Sequence, residues 1–149
     1  MIAMTLQELN KWIEYLKEKK DSWPAMLGDE EYMSHWMGRL FIGRTLFREY
    51  GEYEGAYAIL REIHLNNEIR HNRDLFGSYE DYIIEKVAFF KDMAELTYII
   101  TKEAAQSIPY IDEALIMLDG SESVGPYVDH KEYKELRKYY IEKSLGEVK

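Results

Sequence analysis

Long stretches without helix-breaking residues constrain this chain more than any other feature. Its 149 residues hold three prolines and nine glycines. Between these, apolar positions recur every three to four residues, the spacing of one face of an α-helix. No segment alternates as a half-buried strand requires. The fold class read from this pattern is all-α: α-α hairpins of about six helices, set as a repeat superhelix or a helical bundle. At this length a single domain over residues 1–149 is expected.

Capping signals place the helices. Thr5-Leu6-Gln7-Glu8 has the form of a capping box. Leu6, Leu9, Ile13 and Leu16 follow on one face, and Lys17, Lys19 and Lys20 suit the negative helix end. Trp23-Pro24 and Gly28 close this first helix. Asp29 opens a second that reaches Tyr50 and carries Trp36, Met37, Leu40, Phe41, Gly43 and Phe47. Gly51 is its C-terminal cap residue, free to take a left-handed conformation. The third helix, Glu52 to Asn66, buries Ala56, Ile59, Leu60 and Ile63. Ser78-Tyr79-Glu80-Asp81 starts a fourth, which runs through Ile83, Val87, Phe90, Ala94 and Tyr98 to Ile100. Pro109 interrupts the fifth, Glu103 to Leu118. A kinked continuous helix is expected there; the alternative is a shorter helix with Pro109 in its first turn and Ser107 as cap. After a loop from Gly120 to Pro126, the capping box Asp129-His130-Lys131-Glu132 opens a last helix ending near Leu145.

Sliding the chain on itself by fifty-one residues pairs Gly43 with Ala94, Phe47 with Tyr98, Ala56 with Ser107, Leu60 with Ile111 and Ile63 with Ala114. Each pair shares its physical character, and small residues at such places let antiparallel helices approach closely. Leu40 against Lys91 and Gly51 against Lys102 break the agreement. Residues 30–67 and 78–119 are thus two repeat-like units, with 129–146 as a terminal helix.

These residues resemble the tetratricopeptide repeat. Leu40 to Ile63 is similar to the second half of that motif's first helix and most of its second. Gly51-Glu52-Tyr53-Glu54-Gly55-Ala56 is the most specific part, and Ala104 to Leu115 looks like another second helix. Gly43 stands one place early, with Arg44 in the family's glycine slot; the unit spacing is longer than the family's period and the closing proline is absent. A bundle that imitates the repeat therefore remains the alternative. The resemblance implies a peptide groove lined by the first helix of each unit. Its matching positions are Phe41, Thr45 and Arg48 in the first unit, and Asp92, Leu96 and Ile99 in the second. Only Arg48 has the character used to hold a terminal carboxylate, so capture of an acidic tail is not expected. The chain's own last helix could also fill so small a groove.

Catalytic and metal signals are sparse. The chain has no cysteine, which excludes thiolate zinc, disulfides and a cysteine nucleophile. There is no G-x-S-x-G, H-E-x-x-H, phosphate loop or dinucleotide fingerprint. Glu68-Ile69-Arg70-His71 matches the E-x-x-H of di-iron bundles, but Glu31 with His35 does not supply the second copy such a centre needs. His35, His64 and His130 are scattered. No cofactor is expected, and a metal-dependent helical enzyme using Glu68 and His71 is the alternative reading.

Charge and aromatics give the binding information. The formal charge of −9 disfavours nucleic acid, which needs a basic face. No apolar run approaches membrane-spanning length and no signal peptide is evident, so an acidic cytoplasmic protein is expected. Between Glu80 and Asp129 stand eleven acidic and three basic residues, an outer solvated face or a steering surface for a basic partner. Thirteen tyrosines and three tryptophans are a high load. Tyr15, Tyr53, Tyr82 and Tyr98 are assigned to packing, whereas Tyr127, Tyr133, Tyr139 and Tyr140 are candidates for an interface. The leading function is a non-enzymatic interaction module binding another protein or peptide, or a homo-oligomeric adaptor. A narrower alternative is an acidic inhibitor of a basic protein.

Overall fold

The computed structural model describes residues 6–19, 36–71 and 76–147. Among them are six helices of at least twelve residues and no strand. Their contacts divide the chain into two compact units, Met1–His71 and Asn72–Lys149.

The first unit contains α1 (Leu6–Lys19), α2 (Trp36–Arg48), α3 (Tyr53–Leu65) and one helical turn, Glu68–His71. Thr5, Lys20, Trp23, Pro24, Gly28, Asp29 and His35 lie outside the described residues, as do the side chains of Leu6, Leu9, Lys17, Lys19, Trp36 and Met37. α2 and α3 form a tight hairpin. Gly51 takes φ +63°, and the Glu52 N–H donates to the Leu46 carbonyl at 2.9 Å, which closes the end of α2. Gly43 lets the two helices meet, since a Cβ there would stand 2.7 Å from Leu60 Cδ2. Ala56, Ile59, Leu60 and Ile63 are buried as their spacing predicts, with Leu40, Ile42, Leu46 and Phe47 from α2. α1 docks on this hairpin. Ile13 and Leu16 are buried, the Trp12 indole lies against Gly55, and the Tyr15 hydroxyl donates to Glu52 Oε1 at 2.9 Å. Tyr53, expected in the packing, is exposed and meets Phe47 edge-on.

The second unit contains α4 (Tyr79–Thr101), α5 (Ile108–Asp119) and α6 (His130–Glu147), with 3-10 turns at Ala104–Gln106 and Glu122–Val124. Ser78 caps α4 by accepting from the Asp81 N–H at 3.1 Å. α4 ends at Lys102, whose φ is +60° and whose N–H donates to the Tyr98 carbonyl at 2.8 Å. The kinked helix expected from Glu103 does not form. Residues 104–106 make a 3-10 turn, and α5 starts at Ile108 with Pro109 in its first turn, where the missing N–H costs no helical bond. Ser107 does not cap it with its side chain; its Oγ donates instead to the Ala94 carbonyl at 2.6 Å, tying α5 to α4. Asp129 caps α6 through Oδ1, accepting from the Lys131 and Glu132 N–H groups at 3.1 and 3.4 Å. The Glu132 carboxylate does not complete the capping box, because it pairs with Lys91.

Of the residues paired at the fifty-one-residue offset, Phe47 is buried while Tyr98 is only half-buried. Gly43, Ala56, Leu60 and Ile63 are buried, and so are Ala94, Ser107, Ile111 and Ala114. Gly51 and Lys102, which disagree in residue type, share the left-handed backbone.

Candidate functional site

α4 and α6 run side by side in the same direction. Lys91 pairs with Glu132 at one end, and two helical turns further along both helices the Tyr98 ring meets Tyr139 and Tyr140 at 6.3 and 5.9 Å. Arg137 Nε donates to Asp112 Oδ1 at 2.5 Å, which holds α6 to α5 as well. Parallel helices that touch at discrete points leave a furrow between them. Here it is a cleft of about 380 Å³, lined by Lys91, Glu95, Tyr98 and Ile99 of α4 and by Leu136, Tyr139 and Tyr140 of α6.

The three rings set the cleft's character. Tyr139 and Tyr140 are 5.4 Å apart at 70°, and each stands edge-on to Tyr98. Adjacent on one helix, they divide as helical geometry requires: Tyr140 is buried, while Tyr139 is 44% exposed. Burial pushes the Tyr140 hydroxyl up to about 12, helped by the charge of Glu95 and by the neighbouring Tyr139 and Tyr98. Lys143 Nζ lies 5.6 Å from the Tyr139 ring centroid, so that ring already accepts a cation on one face. Glu95 is exposed and has no hydrogen bond or ion pair among the described residues.

The residues expected to line a groove are placed unequally. Phe41 is 45% exposed and Arg48 is exposed, its guanidinium 4.9 Å from the Phe47 ring. Thr45 is buried, with Oγ1 donating to the Phe41 carbonyl at 2.8 Å. Asp92 and Leu96 are buried too, and of the second trio only Ile99 reaches the cleft. Thr45, Asp92 and Leu96 thus do not present an open surface. One residue step turns a helix by about 100°, so α4 offers Lys91, Glu95 and Tyr98 in place of Asp92 and Leu96. Glu95 and Leu136 were missed by sequence reasoning, and Tyr98 was assigned to the core. The signal was present in the matched spacing of Lys91, Glu95 and Tyr98 against Glu132, Leu136 and Tyr139.

The E-x-x-H segment reads differently in space. Arg39 donates to Glu62 Oε1 at 3.3 Å and to Glu68 Oε1 at 2.5 Å, so a guanidinium engages both carboxylates. The His71 side chain lies outside the described residues. Among the described residues no group of three or more His, Asp or Glu side chains could hold a metal ion, and no helix is long and apolar enough to cross a membrane. Comparison with protein-family models, with curated proteins and with solved structures finds no match.

Proposed function

We propose that this chain is a non-enzymatic interaction module of the tetratricopeptide-like kind, cytoplasmic, which binds a segment of another protein. The observation that carries the reading is the tyrosine-lined cleft between the parallel helices α4 and α6. Large rings that keep a polar tip in water suit protein interfaces, because they bury much area at little entropic cost. The small-residue contacts of the two hairpins, Gly43 with Leu60 and Ala94 with Ser107, support the repeat-like part of the proposal. The acidic stretch from Glu80 to Asp129 favours a basic partner and fast association.

Ile99→Arg tests it. The substitution places a long cationic side chain in the cleft beside Glu95 while leaving the buried residues of α4 in place. Wild type should retain a stoichiometric protein partner in a quantitative pull-down, and the variant should lose it with its melting temperature nearly unchanged. A partner held equally by both proteins would overturn the assignment of the cleft.

A further inference from the structure

We infer that the cleft between α4 and α6 receives the arginine side chain of a basic protein segment, with Glu95 as its counter-charge and the Tyr98 and Tyr139 rings as its stacking surface. The inference rests on the reading of the chain as an interaction module and gives that module's ligand its chemistry.

Two observations point to a cation and a third to a single long side chain. The first is charge. Lys91, the other charged α4 residue in the wall, is neutralised by Glu132, whereas Glu95 has no ion-pair partner among the described residues. Among the lining residues Glu95 is therefore the carboxylate without an ion-pair partner, within a stretch where acidic residues outnumber basic ones by eleven to three. The second is the aromatic lining. Tyrosine faces are electron-rich and attract a cation lying within about 6 Å of the centroid. Lys143, four residues on along the same helix, lies at such a distance from the Tyr139 ring. The third is size. About 380 Å³ lies at the low end of ligand pockets, which run from roughly 300 to 1,000 Å³, so one long side chain fits and a large ligand does not.

Arginine suits this lining better than lysine. Its planar guanidinium stacks on a ring while its edge donates two parallel hydrogen bonds to a carboxylate. An ammonium makes only one of these contacts well, and its stronger hydration resists entry beside Ile99 and Leu136.

The test titrates capped pentapeptides Gly-Leu-Xaa-Leu-Gly into the full chain, followed by amide chemical shifts, with arginine, its neutral isostere citrulline, or glutamate at Xaa. The arginine peptide should perturb the amides around Tyr98, Ile99 and Tyr139 and bind about tenfold tighter than the citrulline peptide. Glutamate should bind more weakly than either. Glu95→Gln, a change at an exposed position, should shrink the arginine advantage to about twofold without changing citrulline binding. Equal affinity for arginine and citrulline, an advantage that survives Glu95→Gln, or no saturable shift with any peptide overturns the inference. Equal binding centred on the cleft removes the arginine assignment and leaves the interaction module standing. Failure of the module itself is read separately, from a partner that Ile99→Arg does not displace.

Discussion

Gly43 and Gly55 both stand where one helix crosses another, and they should respond differently to an added methyl group. A Cβ on Gly55 would fall 2.5 Å from the Cε2 and Cζ2 atoms of Trp12, and a rigid indole gives way only by moving whole. Overpacking of this kind costs about 1–3 kcal/mol, more than the ~0.8–1 kcal/mol that alanine adds over glycine within a helix. On Gly43 the nearest atom is Leu60 Cδ2 at 2.7 Å, the far end of a flexible side chain. Gly55→Ala should therefore lower the melting temperature more than Gly43→Ala, and the reverse order in thermal denaturation would show that α1 yields more easily than the α2–α3 hairpin. The same scale explains which residues sequence periodicity could assign. α3 has one buried face, so Ala56, Ile59, Leu60 and Ile63 were legible. α4 is buried over a broad arc, at Tyr82, Ile83, Val87, Phe89, Phe90, Asp92, Met93, Ala94, Leu96 and Thr97. The open stripe of α4, Lys91, Glu95 and Tyr98, is narrow and flanked by apolar residues on both sides, so its phase is weakly marked, and Asp92 and Leu96, one step round the helix, are buried instead of lining a groove.

Helix ends were read well where the side chain itself does the capping. Ser78, Asp129 and Gly51 announced their roles because hydroxyl, carboxylate and bare backbone each meet a specific local need. Lys102 gave no such notice. Its left-handed backbone is imposed by the turn from α4 into the 3-10 segment, where the Lys102 N–H closes on the Tyr98 carbonyl, and nothing in a lysine side chain encodes it. Pro109 was ambiguous for a related reason: its ring fits either a kink or a first turn, and the bond from Ser107 to Ala94 sets α5 in the second arrangement. A non-glycine residue in the left-handed region costs about 1–2 kcal/mol, part of which glycine returns through its freer unfolded chain. Because Lys102 is exposed, Lys102→Gly should stabilise the protein by roughly 1 kcal/mol. A lower midpoint in urea denaturation would mean that the lysine side chain contributes more than its backbone costs.

At the scale of the whole chain the ionisable inventory governs how stability responds to alkali. The formal charge is −9 at pH 7, and raising the pH past the tyrosines adds further negative charge to folded and unfolded chains alike. A stability change arises only from groups that titrate differently in the two states. Tyr140 is such a group: burial first, and then the charge of Glu95, push it up to about 12 from an ordinary 10.0. Between these values the unfolded chain has released the phenolic proton while the folded chain still holds it. The stabilisation is therefore full below pH 10 and is lost as the pH rises through about 12. Composition gave thirteen tyrosines without indicating which would resist ionisation, since that depends on α6 turning Tyr140 inward and Tyr139 outward. Tyr140→Phe removes the titrating hydroxyl and keeps the ring against Tyr98. Its melting temperature should track wild type at neutral pH apart from a constant difference, and should then fall less steeply across the interval from 10 to 12. The other twelve tyrosines are common to both proteins, so the divergence of the two curves reports Tyr140 alone. Parallel curves through that interval would show that the Tyr140 hydroxyl titrates as it does in water, and would remove the desolvated phenol from the description of the cleft.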